Sequence, residues 1–291
     1  MSLVINTNIA SLNAQRKLMG STRSLGTSFQ RLSSGLRINA AKDDAAGMSI
    51  SHRMTAQVRG LNQAMRNTND AISLVQVAEG ALDETTNSLQ RIRELSVQAA
   101  NDTLVSSDRE DIWKEVNQLL EEVDRIANQT EYNGQGLLGS TAGSTAAANY
   151  TAKFHIGNNA DQTMDIAIQN AGTSAVGMVR SDIGSGTDMT ALTAASQQVR
   201  ANSVIQMADS ALESVADIRA TLGSYQNRFE SIITNLANVS ENTSAARSRI
   251  VDADIAAETS NMTKNAILQQ AATAILAQAN QQPQMALQLL G

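Results

Sequence analysis

From Val204 to Ile250 the chain never misses an alternating four-three spacing: Val204, Ala208, Ala211, Val215, Ile218, Leu222, Tyr225, Phe229, Ile232, Leu236, Val239, Thr243, Ala246 and Ile250. Seven residues per two turns keep one seam of a helix turned toward a partner, so this stretch is predicted to be one long helix in a bundle. Natural partners carry the same register. Ala71, Val75, Ala78, Leu82, Thr85, Leu89, Ile92, Ser96 and Ala99 follow it, as do Ile112, Val116, Leu119, Val123 and Ile126. A helix from Ala45 to about Ala100 would be on the order of 80 Å long. The residues expected to hold the bundle seam are Val75, Leu82, Leu89 and Ile92, then Ile112, Val116 and Leu119, then Val215, Ile218, Leu222, Phe229 and Leu236. A further run, Leu18, Thr22, Leu25, Phe29, Leu32 and Leu36, makes the N-terminal region helical as well.

Both ends of the chain lack charge. Nothing after Lys264 is acidic, basic or His, and nothing before Arg16 is either. The segment Asn265 to Gly291 is too rich in Gln to span a membrane, which needs roughly 20 predominantly apolar residues. Its apolar positions do not form one stripe. Ile267, Ala271, Ala274 and Ile275 point one way, while Ile255, Met262 and Ala266 point another. A helix of this kind needs cover on several sides, and Gln suits that role because an amide can exchange hydrogen bonds with neighbours where a buried charge would be costly. The two ends are therefore expected to meet and to be buried together in an assembly.

Composition agrees with long helices and narrow seams. Aromatic residues are 2% of the chain and there is one proline, the strongest helix breaker. A net charge of -6 gives no electrostatic footprint for nucleic acid. The absence of cysteine removes disulfides and thiolate metal sites. The N-terminus lacks the pattern of a cleaved secretory signal. His52 and His155 stand in no metal-ligand spacing, and the Asp43-Asp44 pair reads as a helix cap, so neither catalysis, a cofactor nor a metal is expected.

Between the helices the punctuation is clear. SSGLRINAAKDD breaks the first helix from the second, with Asp43 or Asp44 placed to cap the latter, and a break near Val251 to Asp254 mirrors it. Asn133-Gly134 is a turn signal. Tyr150, Ala152, Phe154 and Ile156 alternate with polar neighbours, as do Met164, Ile166 and Ile168, which predicts a β-hairpin over about 149–169. Surface loops are expected at about 139–148 and 172–190. The fold class is thus mainly α: a long antiparallel coiled-coil helix bundle folded back on itself, with the small hairpin at its distal end.

Five stretches carry a family resemblance: INTNIASLNAQ, RLSSGLRINAAKDDAAGMSIS, LQRIRELSVQAAN, EEVDRIANQTEYNG and ILAQANQQPQMALQLLG. Together they resemble bacterial flagellin over about 1–140 and 200–291, with a middle too short for the outer domains of longer members. The resemblance implies a structural subunit, exported unfolded through the flagellar type III apparatus, that polymerises into an extracellular filament used as a motility propeller. It implies an inner-tube domain from 1–42 and 253–291 and a shaft domain from 43–252. The residues assigned to inner-tube assembly are Ile5, Ile9, Leu12, Leu32, Leu36, Ile267, Leu268, Ala271, Ile275, Leu289 and Leu290.

Partners implied are other copies of the chain, an export chaperone, the filament cap and the hook-filament junction proteins, with no nucleic acid and no membrane. In flagellins detected by host Toll-like receptor 5, an Arg and a Leu of the QRxREL segment and a Glu on the next helix are central. The matching positions are Arg91, Leu95 and Glu115. Leu95 lies off the seam and is expected to be free for a contact with another molecule. The alternative within the same class is the hook-filament junction protein, which shares the terminal pattern. A chemoreceptor-type coiled coil would need a membrane span that the sequence lacks.

Overall fold

The computed structural model describes residues 8–139, 149–178 and 194–290, with main chain only at 194–195 and 282–290. Ile5 and much of both expected surface loops lie outside the described residues. So do the side chains of Leu289 and Leu290. The order of elements is α1 (Ile9–Ser34), α2 (Ala45–Ala99), α3 (Ser106–Gln129), β1 (Glu131–Tyr132), β2 (Gln135–Gly136), β3 (Tyr150–His155), β4 (Thr163–Ile168), α4 (Ala194–Val251) and α5 (Ile255–Leu290). Two compact units result, one of residues 60–239 and one of residues 1–59 with 240–291.

In the 60–239 unit, α2, α3 and α4 share one apolar core. Every seam residue of α2 from Ala71 to Ala99 is buried, and Val204, Ala208, Ala211, Val215, Ile218, Leu222 and Phe229 of α4 face them. Polar pairs run alongside the core and fix the antiparallel register of α2 and α4. Arg93 Nε meets Asp209 Oδ1 at 2.6 Å, Arg219 Nη1 meets Asp83 Oδ1 at 3.1 Å, and Gln226 Nε2 donates to Glu79 Oε2 at 2.6 Å.

Three expectations need correction. On α3 the buried residues are Arg109, Ile112, Trp113, Val116, Leu120, Val123 and Ala127, whereas Leu119 and Ile126 are only half-buried. Adjacent positions offered two competing seams, and the large indole of Trp113 turns the helix toward its own. On α2, Leu95 is 2% exposed rather than free. Because α2 is covered by both α3 and α4, its buried stripe is wider than a two-helix seam and takes in Leu74 and Leu95 beside it. Farther along α4, outside this core, Val239 is 43% exposed, and the next residue, Ser240, is buried instead.

The β-hairpin pairs Tyr150 with Ile168 through to His155 with Thr163. It turns Met164, Ile166 and Ile168 into the core, and Phe154 meets Phe229 edge-to-face at 6.1 Å. Its tip does not lie at the end of the unit where α2 gives way to α3. Asn67 Nδ2 donates to the His155 carbonyl at 3.1 Å, and a Cβ on Gly60 would stand 3.0 Å from the Cβ of Asn158. The tip is thus about 50 Å of helix away from Ala100. The physical reason lies in the anchor at its base: Thr173 donates its N–H and its hydroxyl to Asp124 on α3, at 2.9 and 2.8 Å. From that base the strands run back toward Gly60. The same anchor corrects the expected loop from residue 172, since Thr173, Val176 and Met178 are buried.

The 1–59 and 240–291 unit pairs α1 with α5, with Cα atoms approaching within 8 Å. Gly35, at φ 71°, ends α1. The two breaks expected from the sequence are hydrogen-bonded to each other. Arg37 N–H donates to Val251 O at 2.6 Å, and Ala253 N–H to Gly35 O at 2.9 Å. Of the two acids, Asp44 is the cap of α2, accepting from Gly47 N–H at 2.8 Å. Asp43 folds back, and its Oδ2 accepts from the N–H groups of Asn39 and Ala40 at 3.1 and 3.0 Å. These two bonds, Ala40 first, hold its carboxyl below the usual range.

Candidate functional site

The pairing of α1 with α5 is narrow. Among the described residues, those buried in it are Ala14 and Ser28 on α1 and Ala272, Ala279 and Glu258 on α5. Small side chains let the backbones approach closely but bury little apolar area. Polar contacts set the register instead: Asn8 Nδ2 donates to Ala279 O at 2.7 Å, Ser11 Oγ to Asn280 Oδ1 at 2.8 Å and Gln269 Nε2 to Thr22 Oγ1 at 3.3 Å. Arg31 lies 3.7 Å from Glu258 at the other end.

Leu18, Leu25 and Leu32 on α1 and Met262 and Leu276 on α5 are half-buried in the same four-three register as the buried residues of this pairing, and the other large apolar side chains are left outside it. Ile9, Leu12, Met19 and Phe29 on α1 are exposed, as are Ile255, Ile267, Leu268 and Ile275 on α5. Ala271 is exposed between them, while Leu32 and Leu36 are half-buried. On α5, Ile267, Leu268, Ala271 and Ile275 lie within an arc of about 100° at 100° per residue, flanking the side that carries Ala272 and Ala279. The result is an apolar row that the described residues leave uncovered, with Arg16 and Arg23 beside it on α1 and Lys264 at its start on α5. Scattered exposed apolar residues are ordinary, but a contiguous row marks an interaction surface.

The bundle-seam residues assigned from the sequence all lie against the core of the other unit except Leu236. Leu236 packs with Leu61 and Ala64 in a smaller cluster. Arg91 and Glu115 are brought together across α2 and α3: Arg91 Nη2 and Nε donate to Glu115 Oε1 at 3.0 and 3.2 Å, and Arg91 Nη1 donates to Glu94 at 3.2 Å. Glu115 first, and then Glu94, stabilise the charged guanidinium and raise its pKa. Leu95 does not join this exposed group.

Sequence reasoning missed Arg109. It is 1% exposed, and it donates from Nε to the Ala99 carbonyl at 3.0 Å and from Nη2 to the Asn101 carbonyl at 2.9 Å. It thereby satisfies the Ala99 carbonyl, which the end of α2 leaves without a helical partner, and joins Leu104 N–H as a donor to the Asn101 carbonyl just beyond it. The signal was present, since Arg109 stands four residues before Trp113 in the register that α3 adopts.

Comparison with known proteins places this arrangement. Residues 5–143 match the bacterial flagellin N-terminal helical region and residues 205–290 the bacterial flagellin C-terminal helical region. The chain is 44% identical to a flagellin of Halalkalibacterium halodurans, over 99% of this chain and 100% of that one. It is 44% identical to a flagellin of Bacillus subtilis, over 98% and 99%. A flagellar filament 30.7 kDa core protein of Treponema maltophilum is 43% identical over 99% and 100%. Among solved structures, one described as a flagellar hook-associated protein from Vibrio parahaemolyticus shares the fold, with a TM-score of 0.58 at 15% identity, covering 72% of this chain and all of that one. Full-length likeness at this identity, carried by both terminal helical regions, means that the chain belongs to the bacterial flagellin family, in its short form.

Proposed function

We propose that this chain is the structural subunit of a bacterial flagellar filament, in which copies of itself cover the bare faces of α1 and α5. The observation that carries the reading is the apolar surface that the pairing of those two helices leaves over. They pair along Ala14, Leu18, Leu25, Ser28, Ala272, Leu276 and Ala279 and leave Ile9, Leu12, Ile267, Leu268 and Ile275 exposed. Burying one such side chain fully contributes about 1.5–3 kcal/mol, which a single chain forgoes several times over and a helical polymer recovers in every subunit. The terminal segments 1–42 and 253–291 form the inner tube and 43–252 the outer shaft. Ile5, Leu289 and Leu290 extend the inner-tube interface. A narrow α1–α5 contact also fits termini that become fully ordered only on assembly, when burial offsets the entropy of ordering.

The subunit works outside the cell, reached through the flagellar export apparatus, with the export chaperone, the filament cap and the junction proteins as partners. Arg91 and Glu115 present an exposed charged pair to a host receptor or to a neighbouring subunit, and Leu95 supports them from beneath. Seeded polymerisation of purified monomer, followed by electron microscopy, tests the reading on the full chain and on a chain ending at Lys264, with circular dichroism to show that the shortened chain retains α2, α3 and α4. Filaments from the first and none from the second are expected. Equal polymerisation of both would overturn it.

A further inference from the structure

Asn-Gly occurs once in the sequence, at Asn133-Gly134, and the structure puts it at an exposed turn. Both residues have positive φ, 52° and 76°. As the two-residue connection of an antiparallel pair, Glu131 with Gly136 and Tyr132 with Gln135, this is a type I′ turn. Asn-Gly is also the dipeptide with the least hindered backbone nitrogen following an amide side chain.

We propose that Asn133 is a deamidation site that the folded turn protects. In the reaction the Gly134 nitrogen attacks Asn133 Cγ. An N–Cγ bond forms, the Gly134 amide proton passes to solvent base, the Cγ–Nδ2 bond breaks and ammonia leaves, giving a five-membered succinimide. Water then opens the ring at either carbonyl, yielding Asp or an isoaspartyl linkage whose main chain runs through Cγ.

Ring closure needs the Gly134 nitrogen and Asn133 Cβ nearly eclipsed about the Cα–C bond. In the left-handed conformation, with ψ about +47°, those two atoms are instead nearly anti, and Cγ cannot reach the nitrogen. The turn is held in that state from both sides. Leu137 N–H donates to Thr130 O at 2.9 Å, Tyr150 Oη donates to Gln135 Oε1 at 2.9 Å, and Leu137 and Leu138 anchor the exit in the core. Yet β1 and β2 are two residues each, and so short a ladder opens locally far more readily than the helices do. Once formed, an isoaspartyl residue adds a main-chain atom and a carboxylate to a two-residue turn, and the ladder can no longer close in register. The modification therefore marks chains that have spent time with this hairpin open. This inference does not depend on the filament reading.

The test incubates the full chain in mildly alkaline buffer, folded and in unfolding urea, and follows the peptide containing Asn133 by mass spectrometry. An isoaspartyl methyltransferase with labelled S-adenosylmethionine serves as the probe for the rearranged linkage. Conversion is expected to be at least about tenfold slower in the folded chain, corresponding to ~1.4 kcal/mol for opening the turn. Gly134→Ala is expected to slow conversion in urea. Equal rates in the two states, faster conversion when folded, or an intact Asn133 in urea would each overturn the proposal.

Discussion

Replacing Ile267 and Ile275 together by Gln probes the bare face of α5 most directly. The two side chains are 60% and 57% exposed in the isolated chain, so each still holds more than half of the burial energy of an isoleucine. Taking about 1.5–3 kcal/mol for full burial, about 1–2 kcal/mol per site is left for assembly to collect, or about 2–4 kcal/mol for the pair. At 1.4 kcal/mol per tenfold change, the critical concentration for seeded elongation should rise between about 30-fold and about 1,000-fold. Gln has a helix propensity similar to that of the surrounding residues and both positions are more than half exposed in the free chain, so its unfolding should shift by no more than about 0.5 kcal/mol. The assay is sedimentation of polymer from monomer over a concentration series with filament seeds, with urea unfolding of the same samples. A critical concentration within about twofold of the parent's, at unchanged monomer stability, would refute the argument that this face is covered in the filament.

Other expectations follow from the 60–239 unit and the connector. Arg109→Met should destabilise the chain by about 1–3 kcal/mol, because it leaves the Ala99 carbonyl without its buried donor; urea unfolding followed by the fluorescence of Trp113 measures it, and a loss under about 0.5 kcal/mol would contradict the role assigned. Leu95→Ala should cost about 2–5 kcal/mol by opening a cavity beside the core. Weaker receptor binding by that variant should therefore be accompanied by a lower unfolding midpoint, and an unchanged midpoint would show that Leu95 is not packed as described. Asp43 contributes stability to the connector that is present above the ordinary Asp pKa and is lost as pH falls through its depressed folded value. The Asn39 and Ala40 amide resonances should shift together with an acidic midpoint below that of a free Asp, and Asp43→Asn should abolish the transition. A midpoint at or above the free value would refute the two bonds.

Much of the architecture was legible because a helix seam is a local property. Ala71 through Ala99 and Val204 through Phe229 announce themselves by spacing alone, since seven residues per two turns bring them to one side whatever they meet. The same holds for the alternation of Met164, Ile166 and Ile168, and for the two breaks at Asn39 to Asp44 and Val251 to Asp254. The failures came where a helix has more than one neighbour. A second partner buried Leu95. On α3 the buried stripe runs through Trp113 and Leu120, and Leu119 is left half-buried at the edge of the core. Arg109 was invisible because its role is to satisfy a carbonyl of a different helix, which no spacing within α3 expresses.

By itself the sequence determined that the chain is built of long helices, where they begin and end, and that its charge-free ends require cover, because periodicity and the cost of burying charge act residue by residue. Tertiary structure alone decided which face of α1 and α5 is spent on their own pairing and which is left bare. Along that pairing the small residues Ala14, Ser28, Ala272 and Ala279 alternate with half-buried Leu18, Leu25 and Leu276, and one narrow seam leaves Ile9, Leu12, Ile267 and Ile275 outside it, where another chain can meet them.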